Sequence, residues 1–211
     1  MMQIAVVDYG MGNLRSVVKA IEHVAPSDAH VVLTDAPEVI LNSEKVVFPG
    51  QGAAAQCMAK LEERQLPEAL REAARTRPFL GICMGMQVLL DRSEENDGVD
   101  LLGWFPGQVK RFEPGDAHLK VPQMGWNQLH QAHEHPLFDG IRQDARFYFV
   151  HSYYCEPTDP SQSVATATYG QTYCAALADD FVFAIQAHPE KSADDGLTLL
   201  ANFTRWSGPR S

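Results

Sequence analysis

The segment RPFLGICMGMQVLL, residues 77–90, restricts the fold more than any other stretch of the chain. An apolar, strand-like run, PFLGIC, passes straight into the helix-like MQVLL with no linker between them. A chain makes that change only at a tight elbow, and Gly81 and Gly85 supply the backbone freedom an elbow demands. Such elbows sit at the carboxyl edge of a sheet in α/β folds and expose the side chain at their tip, here Cys83. The helix that follows points its first N–H groups at that tip, which stabilises negative charge there. Cys83 therefore has two readings: a small buried residue in a glycine turn, or a nucleophile presented for attack. A nucleophile needs a base, a group that orients the base, and an oxyanion site.

The first half of the chain alternates in a way that suits an elbow of this kind. QIAVVDY is a short apolar run, and GNLRSVVKAIEHV follows with Leu14, Val17, Val18, Ile21 and Val24 at helical spacing. AHVVLTD and EKVVFPG are further strand-like runs, and residues 53–77 read as helix with a break at Pro67. Strands alternating with helices predict a parallel sheet covered on both faces. From about Gly98 the runs GQVKRF, NQLHQ, RFYFVHSYY, SVATATY, TYCAALA and FVFAIQA lie closer together and predict an added antiparallel or mixed section. A last helix, SADDGLTLLANFTRW, carries Ser192 as its expected N-cap. With 211 residues and no repeat or linker, the whole of 1–211 reads as one α/β domain.

Charge and cysteine usage exclude several function classes. A formal net charge of -10 argues against a nucleic-acid or anionic-membrane surface as the main business. The apolar run from Pro78 to Leu90 is shorter than the roughly 20 residues a membrane span requires. MMQIAVVDYG lacks a basic leader and reads as a first strand rather than a signal peptide, so a cytoplasmic location is expected. Cys57, Cys83, Cys155 and Cys174 are widely and unevenly spaced, and read as free thiols in a reducing compartment.

Two other segments can serve Cys83. FVFAIQAHPEKS ends a strand on His188-Pro189-Glu190, which holds an imidazole and a carboxylate on a stiff connection. Alone, an ordinary capping or loop histidine is the favoured reading. VVFPGQGAAA ends a strand on Pro49-Gly50-Gln51-Gly52, where glycines let backbone amides turn toward an oxyanion. A plain turn is the commoner explanation of a Pro-Gly pair. The cluster HQAHEH, residues 130–135, has neither the spacing nor the cysteine partners of a structural zinc site and reads as a solvated loop. Cys57, Cys155 and Cys174 have no elbow or nearby His–acid pair and read as packing or surface thiols.

Taken together and in this order, the three segments resemble the class I (triad) glutamine amidotransferases over essentially the whole chain. The resemblance implies a flavodoxin-like three-layer fold, with a central mixed, mainly parallel sheet flanked by helices and an added antiparallel section. It implies a thioester mechanism on L-glutamine with Cys83 as nucleophile, His188 as base and Glu190 as its partner, and no metal or organic cofactor. Gly50, Gln51, Gly52 and Met84 match the oxyanion site, and Gln87 the position that holds glutamine. Three further stretches, DYGMGNLRSV, KVPQMGWNQL and FYFVHSYY, are similar to the glutaminase subunits of imidazole glycerol phosphate synthases. That similarity implies a heterodimer with a (β/α)8-barrel cyclase, which takes the ammonia in histidine biosynthesis. It puts Gly10, Asn13, Lys120, Pro122, Gln123, Met124, Gly125 and Trp126 at the interface, and His151, Ser152, Tyr153 and Glu95 around the glutamine pocket. Ala187 and Gln51 depart from the family's usual bulky aromatic and small apolar residue. The competing readings are a glutaminase of another synthase, a general cysteine hydrolase and a silent regulatory subunit.

Overall fold

The computed structural model describes residues 2–115 and 118–209. Its first half builds β1 (Met2–Val7), α1 (Leu14–Val24), β2 (Ala29–Thr34), α2 (Pro37–Asn42) and β3 (Lys45–Gly50). α3 (Ala54–Glu63), α4 (Pro67–Thr76), β4 (Phe79–Cys83) and α5 (Met84–Gln87) follow. Short strands β5 (Arg92–Ser93) and β6 (Val99–Asp100) lead to β7 (Gly107–Arg111), β8 (Gln123–Gln131) and β9 (Ala145–His151). β10 (Tyr153–Pro157), β11 (Ser163–Tyr169), β12 (Gln171–Asp179), β13 (Val182–Ile185) and α6 (Ala193–Arg205) complete the fold.

Five strands in the order β2-β1-β3-β4-β13 pair in parallel and form the centre of the sheet. Alternate residues on each strand point to opposite faces, and each face meets its own helices. Ile4, Val6, Leu80, Ile82, Phe183 and Ile185 pack with Val17 and Ile21 of α1 and Leu199 and Phe203 of α6. Val46, Phe48, Phe79, Val182 and Ala184 pack with Ile40 of α2, Leu61 of α3 and Leu70 of α4. Beyond β13 the sheet continues antiparallel through β12, β10 and β7. β11 turns off β12 and carries β8 and β9.

Three sequence expectations change. FVFAIQA falls in the parallel centre, because β13 pairs with β4 from Val182↔Phe79 to Ile185↔Ile82. RFYFVHSYY is two strands, broken at Ser152 between β9 and β10. The helix after Cys83 is a single turn. Val88, Leu89 and Leu90 are fully buried, and the backbone of residues 102–105 donates to their carbonyls, so the helix cannot continue.

Candidate active site

β4 delivers Cys83 at its carboxyl end, in register with Gly50 at the end of β3. Ligand sites in open α/β sheets form at such carboxyl ends. Cys83 has φ 55 and ψ -108, a strained conformation for a residue with a side chain. The glycines beside it are there for space. A Cβ on Gly81 would lie 2.7 Å from the Gly85 carbonyl oxygen, and one on Gly85 would lie 1.9 Å from that of Phe48. The elbow therefore packs backbone against backbone, and Cys83, itself buried, lines the cavity.

β13 runs beside β4, so the chain leaving it brings His188 to the same edge. The His188 N–H donates to the Tyr148 carbonyl at 2.9 Å. Pro189 opens a short 3-10 turn, Pro189–Lys191, that swings Glu190 back under the ring. Nδ1 of His188 lies 2.8 Å from Oε1 of Glu190, with side chains 2% and 1% exposed. Among the described residues, Nε2 of His188 has no hydrogen-bond partner. Burial alone would lower the pKa of this ring. The interactions with Cys83 and Glu190 outweigh it and hold the pKa up at about 10. Ser192, the expected N-cap of α6, uses its hydroxyl otherwise: it donates to the His188 carbonyl at 2.6 Å and accepts from the Tyr148 N–H at 2.9 Å. It thus ties the histidine turn to β9.

Cys83 and His188 open onto a cavity of about 480 Å³. Gln51, Gly52, Met84, Gln87, Glu95, His151, Ser152 and Tyr153 line it. Pro122, expected at a partner surface, also reaches this cavity. Sequence reasoning missed Tyr148, Val150 and Lys191, which line it too; they lie within or next to the motifs FYFVHSYY and HPE. Gly50 and Glu190 lie behind the cavity, in a small crevice shared with Gly12, Asn13 and Pro49. Glu95 accepts from the Ala54 N–H at 2.6 Å and so pins the start of α3, just after the Gly50–Gly52 turn.

Two expected roles change on inspection of the contacts. The amide nitrogen of Gln87 is occupied inside the protein, by the Tyr153 carbonyl at 3.1 Å and Gln186 Oε1 at 3.0 Å. Only its carbonyl oxygen is left for a ligand. Gln123, placed at the partner surface by sequence, is buried, and its Oε1 accepts from the Tyr173 hydroxyl at 3.0 Å. Strand alternation explains this: Met124 and Trp126 face outward at 66% and 46% exposure, so Gln123 faces in. Lys120 and Pro122 are exposed, Gly125 is partly covered, and Gly10 and Asn13 are exposed on the loop after β1.

The other titratable side chains do not compete for the chemistry. His151 is buried among Phe112, Phe149 and Tyr173, and burial pushes its pKa down to about 4. Burial raises the Cys57 and Cys174 thiols to about 12 and pushes the Cys155 thiol well above its ordinary range, which disfavours the reactive thiolate at all three. Within residues 130–135, His130 pairs with Asp144 at 2.9 Å and belongs to β8. His135 packs its ring against Phe183 and Trp206 rather than standing in a solvated loop.

Comparison with known proteins adds to this geometry. Residues 5–205 match the family of class-I glutamine amidotransferases. Imidazole glycerol phosphate synthase subunit HisH of Thiobacillus denitrificans is 56% identical over 97% of this chain and 91% of that protein. The same subunit of Hydrogenovibrio crunogenus is 51% identical over 97% of both chains. The structure of PurLQS from Thermotoga maritima superposes with a TM-score of 0.69 at 18% identity, covering 97% of this chain and 98% of that one. That likeness concerns the fold alone. By its match to the family and its identity to these relatives, the chain belongs to the class-I glutamine amidotransferases, among the HisH subunits of imidazole glycerol phosphate synthase.

Proposed function

We propose that residues 1–211 form a single glutamine amidotransferase domain that hydrolyses L-glutamine and passes the ammonia to a (β/α)8-barrel cyclase, in a cytoplasmic heterodimer. The observation that carries this reading is the buried His188–Glu190 pair facing Cys83 at the mouth of a 480 Å³ cavity. With its proton already on His188, the Cys83 sulfur adds to the carboxamide carbon of glutamine. Backbone amides near Gly52 and Met84 take the negative charge that develops on oxygen. His188 returns the proton to the departing nitrogen, which leaves as ammonia and gives a thioester on Cys83. Water, deprotonated by His188, then attacks the thioester and releases glutamate.

The proposed docking surface is continuous with this site. Trp126 on the outer face packs edge-on against Tyr148, with ring centroids 6.3 Å apart, and Tyr148 lines the cavity. On the other side, a Cβ on Gly52 would meet Met11 at 2.6 Å, so the loop bearing Gly10 and Asn13 rests against the oxyanion turn. A partner seated on Met124, Trp126 and the Gly10–Asn13 loop therefore presses on two walls of the active site. The test is steady-state glutamate release by the free chain, by its complex with the cyclase and by the complex with nucleotide bound. The expected result is feeble, stronger and strongest. Equal rates in all three would instead describe an independent glutaminase, and no release with an intact Cys83 would describe a silent regulatory chain.

A further inference from the structure

A line of buried amides runs from the cavity wall to the nucleophile. The Tyr153 carbonyl accepts from Gln87 Nε2 at 3.1 Å, and the same nitrogen donates to Gln186 Oε1 at 3.0 Å. Gln186 Nε2 in turn donates to Cys83 Sγ at 3.6 Å. Gln186 is fully buried and Gln87 is 3% exposed. The Gln186 N–H donates to the Ala175 carbonyl at 2.8 Å, which fixes the residue between β13 and β12.

The direction of this relay follows from its first member. A carbonyl oxygen only accepts, so the end of Gln87 that meets Tyr153 has to be its NH2. That NH2 also faces Gln186, which has to answer with its oxygen. The NH2 of Gln186 is then turned toward sulfur. Reversing either amide would set two donors or two acceptors against each other in a buried site and leave polar groups there unsatisfied.

We infer that Gln186 is a hydrogen-bond donor to the Cys83 sulfur, held in that orientation by Gln87 and the Tyr153 carbonyl. The inference rests on Cys83 being the nucleophile. An N–H donor favours sulfur when it is charged, before it attacks and again as it leaves the thioester. The relay also fixes what Gln87 reads. With both of its N–H bonds used internally, its free oxygen accepts from an N–H of the substrate, either the α-ammonium or the carboxamide.

The experiment uses the complex with the cyclase and follows alkylation of Cys83 by iodoacetamide, quantified by mass spectrometry. In Gln186→Met, with folding checked by circular dichroism, alkylation at pH 7 should slow about tenfold, the scale of a hydrogen bond to a charged group. Glutamate release should fall in kcat by a similar factor. A Gln186→Met rate within twofold of wild type overturns the relay. Should that variant not fold, the wild-type protein carries the test through the side-chain amide resonances of Gln186 and Gln87. Both should shift when Cys83 is alkylated, and unmoved resonances overturn the inference. Failure of the underlying reading looks different: alkylation of Cys83 would leave glutamine hydrolysis intact.

Discussion

His188 and Glu190 meet at 2.8 Å with almost no exposure to water, and the consequences of that contact can be measured one residue at a time. The folded-state pKa of His188, about 10, lies above its ordinary value of 6.5. The stabilisation from protonating His188 is therefore complete below pH 6.5 and disappears as pH rises through 10. Glu190→Gln removes one of the interactions that raise it. The His188 ring resonances should then titrate at lower pH than in wild type, and the stability gap between the two proteins should narrow as pH climbs through this window. An unchanged midpoint would mean that Glu190 does not support the imidazolium. In catalysis the same variant should lose about 10²–10⁴-fold in kcat with little change in KM, as expected when a base loses its orienting acid. A change confined to KM would make Glu190 a substrate-binding group instead. Cys83→Ala should abolish glutamate release, because the other three thiols are buried and held protonated.

At the scale of elements, the elbow between β4 and α5 depends on how closely its backbone approaches β3. A Cβ on Gly85 would stand 1.9 Å from the Phe48 carbonyl oxygen, and backbone cannot yield there as a side-chain tip can. Gly85→Ala should lower Tm by about 5 °C or more and depress glutaminase activity with it. Gly115→Ala is the matched control, since nothing among the described residues lies within 4 Å of its added Cβ. Equal thermal shifts would show that the elbow tolerates the displacement. The glycine–cysteine–glycine pattern was legible in sequence because the constraint is local. The end of α5 after one turn was not, since the donors that take its following carbonyls come from residues 102–105. Ser192 repeats the lesson: its position before α6 suggested a cap, and a strand distant in sequence claimed its hydroxyl.

For the whole molecule, the proposed coupling would run from a surface 66% and 46% exposed at Met124 and Trp126 to a site lined by Tyr148. Trp126→Ala removes the aromatic anchor of that face and should weaken cyclase binding by roughly 30-fold, the scale of an interface hot spot. Cys83 should stay reactive toward iodoacetamide in the free variant. Undiminished affinity and undiminished stimulation together would place the docking surface elsewhere. The sequence by itself determined the alternating strands and helices, the elbow at Cys83 and the His188-Pro189-Glu190 turn, because periodicity, glycines and proline act over a few residues. The tertiary structure alone decided that FVFAIQA closes the parallel sheet, that Gln123 turns inward, and that Gln186 reaches a sulfur 103 positions away. Those outcomes depend on which strands become neighbours, and contacts between distant segments leave no pattern in the residues on either side of them.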